Sequence, residues 1–140
     1  MIAFPDTEAV VRAWIRSLDL PDVGGKVFFA IPKRPTFPLV SISRLGDRPD
    51  RYTPVDTALI SCDVWCNDSH GGKSGAFKIA GLLAAHLNDP AAYTHTSDGV
   101  STVIDGGDVT LGPLWRPDEE AHLARYVVDA TITCRVVQTP

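Results

Sequence analysis

The fold is decided by Arg125-Tyr126-Val127-Val128-Asp129-Ala130-Thr131-Ile132-Thr133-Cys134-Arg135-Val136-Val137, near the end of a 140-residue chain. In an extended backbone successive side chains point to opposite faces. Tyr126, Val128, Ala130, Ile132, Cys134 and Val136 then line one face, and Val127, Asp129, Thr131, Thr133, Arg135 and Val137 the other. One face is apolar and the other mixed, as in a half-buried strand of an antiparallel sheet. The run is well beyond the usual ~5–6 residues of a strand. An acidic loop, Pro117-Asp118-Glu119-Glu120, delivers the chain into it, with Trp115 and Arg116 just ahead. Trp115 reads as a loop aromatic, a residue type enriched at protein contacts. Arg116 and Arg125 are suited to pair with the acids of this loop or of a neighbouring subunit.

Working back from this strand, Ala58–Cys66 shows the same period. Ile60, Cys62, Val64 and Cys66 share one face, and Leu59, Ser61, Asp63 and Trp65 the other, so Trp65 is a large aromatic on a mostly polar face. Leu39–Leu45 alternates Val40 and Ile42 with Ser41 and Ser43, and Val27–Ile31 is a short apolar strand. The prolines at 32, 35 and 38 between them exclude helix and central strand. Arg44, Arg48 and Arg51, with Asp47, Asp50 and Asp56, make a mixed-charge region around the loop 46–54. It reads either as a solvated loop or as a polar contact surface between subunits, which mixed charge suits better than DNA.

Two helices complete the pattern. Over residues 6–18, Val10, Val11, Trp14, Ile15 and Leu18 recur at helical spacing behind a cap from Asp6 or Thr7. Residues 74–88 are apolar nearly all round, which predicts burial on more than one side, one face on the sheet and another on the first helix or a neighbouring subunit, with Ser74 as cap. Val100–Ile104 and Val109–Leu111 are short strand candidates, joined by a turn at Asp105-Gly106-Gly107-Asp108. Helix, three strands, helix, then two or three strands predicts an α+β fold in a single domain over residues 1–140. Its sheet is antiparallel or mixed, with about five to six strands and both helices packed on one face.

The composition excludes several roles. Net charge is −4, and no stripe of Lys and Arg tracks a phosphate backbone, so nucleic acid is not expected as the main partner. No apolar run approaches the ~20 residues that span a bilayer, and the first residues lack the basic-then-apolar pattern of a secretory leader. Cys62 and Cys66 on one strand would stand ~13 Å apart, too far for a disulfide. Cys134 stands alone. Three reduced cysteines fit a cytosolic chain.

Chemical motifs are sparse. Gly71-Gly72-Lys73-Ser74 has the end of a phosphate-binding loop but lacks the earlier glycine, since Asn67 stands there. The histidines at 70, 86, 95 and 122 have no metal-ligand spacing, and no Gly-x-Ser-x-Gly is present. Asp105–Asp108 lacks the alternating ligands of a calcium loop. No catalytic residue, cofactor or metal is expected.

Several pieces, in order, resemble the tail terminator (tail completion) proteins of long-tailed bacteriophages. They are Val10-Val11-Arg12-Ala13-Trp14-Ile15, Pro38-Leu39-Val40-Ser41-Ile42-Ser43-Arg44-Leu45-Gly46, Ala58-Leu59-Ile60-Ser61-Cys62-Asp63-Val64-Trp65, Gly112-Pro113-Leu114-Trp115 and Ala124-Arg125-Tyr126-Val127-Val128-Asp129. The resemblance implies a hexameric ring in the virion, at the neck of the tail, assembled in the host cytoplasm. Such a ring caps the tail tube, halts polymerisation of the major tail tube protein and offers a joining surface to the head–tail connector. Its implied partners are therefore further copies of itself, the tube protein and the connector, with no membrane and no sequence-specific nucleic acid. Arg44, Arg48, Arg51, Trp65, Trp115, Arg116, Asp118 and Arg125 are the expected subunit or tube contacts. The alternatives are another head–tail connector or neck protein, or a small soluble ligand-binding domain or enzyme.

Overall fold

The computed structural model describes residues 5–45, 55–117 and 123–137. Asp6 starts α1 (Thr7–Ser17) by accepting a hydrogen bond from the Ala9 amide at 3.2 Å, one of the donors a helix start leaves unmatched. The expected stripe is buried: Val10, Val11, Trp14 and Ile15 face inward. β1 (Val27–Phe28), β2 (Leu39–Leu45) and β3 (Val55–Asn67) follow, then a single 3-10 turn over Asp68–His70 and α2 (Gly72–Asn88). β4 (Tyr93–Ser97), β5 (Val100–Trp115) and β6 (Leu123–Val137) end the described chain.

The six strands form one sheet in the order β1-β2-β3-β6-β5-β4. β1 runs parallel to β2 and every other pairing is antiparallel, so the sheet is mixed. β6 lies in the middle, paired along its length with β3 on one side and β5 on the other. This central place accounts for its length and its buried apolar side. The sheet curls into a half-barrel, and α1 touches strands at both of its edges. α2 lies over β3, β6 and β5.

The core fills the space between helices and sheet. Ala76, Ile79, Ala80, Leu83 and Leu87 of α2 meet the inward residues of β3 and β6, among them Cys62, Val64, Val128, Ala130 and Ile132. Fully burying a side chain of this size contributes roughly 1.5–3 kcal/mol. The three cysteines are free and buried in this core. Burial pushes the Cys62 thiol far up and the Cys134 thiol up to about 12, so both remain protonated and act as small apolar groups.

Several expectations are corrected. The first strand stops at Phe28, not Ile31. Because β1 is parallel to β2, the chain must leave the sheet and travel back before β2 begins, and the proline-rich stretch makes that return. Asp105–Asp108 is not a turn: β5 runs unbroken from Val100 to Trp115, with a register irregularity between Ile104 and Gly106. The hairpin turn is Asp98-Gly99, whose φ values of 52° and 78° give a tight reversal that follows the right-handed strand twist. Trp115 is the last residue of β5 and not a loop residue. Ser74 does not cap α2. The helix begins at Gly72 behind Gly71, whose φ of 93° only glycine adopts readily. α2 buries one stripe only, leaving Phe77 53% and Leu82 40% exposed on its two flanks.

Candidate functional site

The end of the sheet where β3, β6 and β5 meet gathers most of the residues singled out in the sequence. Register pairs Trp65 with Arg125 and Val64 with Tyr126, and on the other side of β6 Trp115 with Tyr126. Strand alternation then sends Arg125 to the outer face and Tyr126 to the helix face.

On the outer face the Arg125 guanidinium lies 4.9 Å over the Trp65 ring, and its Nε donates to the Arg116 carbonyl at 3.0 Å. Its Nη1 stands 3.9 Å from Asp63 Oδ2. The Arg116 amide returns a bond to the Arg125 carbonyl at 2.9 Å. Trp65 is only 6% exposed, and its indole N–H donates to Ser41 Oγ at 3.1 Å. The face is polar, as expected, yet this aromatic is buried in it, covered in part by the arginine. Burial pushes the Asp63 carboxyl up, Arg125 opposes that, and Asp129 adds to it.

On the helix face Tyr126 is edge-on to Phe77, with ring centroids 5.4 Å apart, and tilted against Trp115 at 5.2 Å. Such pairs add ~0.5–1.5 kcal/mol beyond area burial. The Lys73 ammonium lies 4.6 Å over the Trp115 ring. Beside these rings Asp68, Gly71, Gly72, Ser74, Phe77 and Tyr126 line an open cleft of about 650 Å³. Lys73 and Phe77 were not singled out as contact residues in the sequence. The apolar surround of Phe77 on α2 could have pointed to it, but a helix apolar on all sides does not say which side stays uncovered. A phosphate-binding loop is ruled out here, because that motif needs a parallel strand before its helix and β3 is antiparallel to both neighbours.

Arg44 lies elsewhere. It pairs with Ile60 in register, toward the other end of β2 from the Trp65 partner Leu39. Its side chain is 17% exposed and forms a two-pronged ion pair with Asp56, whose second bond measures 2.9 Å. Thr7 Oγ1, at the first turn of α1, donates to the same carboxylate at 2.5 Å. Asp56 thus joins α1 to the sheet inside one chain, with Arg44 holding its carboxylate. Arg48, Arg51 and Asp118 lie outside the described residues. Among the described residues no cluster of His, Cys, Asp and Glu could hold a metal ion, and no helix is long and apolar enough to cross a membrane. Trp65 and Tyr126 are buried within these stacks, so the ring this end of the sheet leaves uncovered is Phe77, beside the cleft.

Arg125→Ala is expected to lower stability by about 1–2 kcal/mol in urea denaturation, through loss of the cation–π contact and the bond to the Arg116 carbonyl. Arg125→Lys should recover less than half of the loss, because an ammonium cannot both lie flat on Trp65 and bond sideways. Full recovery with Lys would contradict the stacked geometry.

No protein-family profile matches the chain, and no curated protein matches it in sequence.

Proposed function

We propose that this protein is a structural subunit of a bacteriophage tail: a tail terminator that assembles as a hexameric ring, caps the tail tube, stops its growth and offers the surface on which the head connector joins. The ordered sequence pieces that resemble that family support the reading. The observation that carries it is the uncovered apolar surface of α2, with Phe77 exposed beside the aromatic cleft and Leu82 exposed on the other flank. An aromatic ring left open at the rim of a cleft supports a contact with another protein.

Native mass measurement across concentration, with negatively stained images in the presence of tail tubes, tests it. Rings of six, or tubes whose length becomes fixed when the protein is added, are the expected result. A protein that stays monomeric throughout and neither binds tubes nor limits their length would sink the proposal. Binding to the portal side and not to the tube would reassign it to a neck protein.

A further inference from the structure

The two edges of the sheet differ in charge. β1 forms one edge and β4 the other. Two guanidinium groups converge on β1: Arg12 Nε donates to the Val27 carbonyl at 3.1 Å, and an Arg16 N–H donates to the same oxygen at 2.9 Å. Arg12 also lies 4.9 Å over the ring of Phe29, which is 45% exposed. Among the described residues neither arginine has a carboxylate within ion-pair reach, and Arg16 Nε is buried with no acceptor. From Val23 to Leu39 the sequence holds Lys26, Lys33 and Arg34 and no Asp or Glu, with Asp19 and Asp22 just ahead of it. Asp6 and Glu8 of α1 lie beside Phe29, and Asp6 is engaged in capping the helix.

The opposite edge is the reverse. From Ile79 to Trp115, a stretch that includes all of β4 and β5, there are four Asp residues and no Lys or Arg. Asp105 pairs with Arg135 at 2.8 Å, whereas Asp89, Asp98 and Asp108 are exposed with no cation in reach among the described residues. β4 is also an outermost strand, so one row of its backbone donors and acceptors is unused by the sheet, although the start of α1 lies against part of it. Edges that must stay unpaired are commonly blunted by Lys or Pro. Tyr93-Thr94-His95-Thr96-Ser97 carries neither.

We propose that the basic β1 edge and the acidic β4–β5 edge are the two halves of one head-to-tail contact, so that the partner at each edge is a second copy of this chain. This rests on the ring reading above and deepens it by naming the interface. The sign of the charges selects the symmetry. A two-fold contact through either edge would bring like charges together. A head-to-tail contact brings opposite charges together at every junction, and such heterologous contacts close into a ring when the rotation per subunit allows it.

Paired charge reversals on exposed residues test it. Lys33→Glu/Arg34→Glu shifts the β1 edge by four charges toward acidic, and Asp89→Lys/Asp108→Lys shifts the β4–β5 edge by four toward basic. Each double variant should keep the wild-type melting temperature to within a few degrees yet self-associate at least about tenfold more weakly in sedimentation at low salt. Mixing the two variants one to one should restore assembly, because alternating copies again present opposite charges. High salt should weaken wild-type assembly as it weakens the mixture. Rings that form normally in each variant alone, or a mixture that stays unassembled while the wild type assembles, would overturn the edge contact and leave the ring standing. A wild type that never assembles would overturn both.

Discussion

Gly107→Ala is expected to cost about 3 kcal/mol of folding stability, an upper-range effect for overpacking a core. Gly107 lies inside β5, under the end of α2. A methyl group there would stand 2.3 Å from the Leu87 carbonyl oxygen, 2.9 Å from Ile132 Cδ1 and 3.2 Å from Pro90 Cδ. The closest of these is backbone, so no rotamer change relieves the clash, and either α2 or β5 must move. Gly106 is the natural control. Nothing lies within 4 Å of a methyl group at that position, so Gly106→Ala should change stability by no more than about 1 kcal/mol and in the stabilising direction. Urea midpoints of the two variants decide the matter. If they coincide, β5 does not pass beneath α2 as described, and a turn at this point regains its case.

The contrast between these glycines also explains which parts of the fold were readable from sequence. β6, β3 and β2 announce themselves because each has one buried and one mixed face, and period two is then visible in the residues themselves. α1 does the same at helical period. β4 and β5 do not. Tyr93–Ser97 is an edge strand with little buried, so burial left hardly any trace in its composition. β5 carries two consecutive glycines, which serve a bulge and a close helix approach, yet read as a turn because Asp-Gly is the strongest short hairpin signal. The chain contains that dipeptide at 98–99 and again at 105–106, and only the first reverses direction.

The candidate site was readable to the extent that it follows from strand register. Arg125 and Trp65 stand at matched ends of two recognisable strands, and both were singled out. Their stacking with each other was not, because register between strands far apart in sequence is a property of the whole sheet. Lys73 over Trp115 depends on how the start of α2 meets the end of β5, an approach that no local pattern encodes. Arg44 carries the opposite lesson. Beside a run of charged residues it reads as a surface group, and only the pairing of β2 with β3 shows that it turns inward to Asp56.

That inward pair supports the second large effect. Asp56→Asn should cost about 3 kcal/mol, in the range measured when one partner of a buried ion pair is removed. Asp56 is 2% exposed, and its carboxylate receives both prongs of Arg44 and the hydroxyl of Thr7. Burial alone would push this carboxyl up. The hydrogen bonds from Arg44 and Thr7 and the charge of Arg44 outweigh burial and hold it below the usual carboxylate range. Thr7→Val removes only the hydroxyl bond and should cost ~1 kcal/mol. The sign of the pH dependence follows from the lowered value. Folding favours the ionised form, so the contribution is complete above the ordinary carboxylate pKa of ~3.9 and is lost as pH falls through the lower value of the folded state. The stability gap between wild type and Asp56→Asn should therefore hold from neutral pH down to about pH 4 and narrow below it. Denaturation midpoints measured at several pH values provide the check. A gap that widens toward acid, or one that is unchanged below pH ~4, would show that Asp56 is not held ionised by Arg44, and that α1 is anchored to the sheet by its apolar stripe alone.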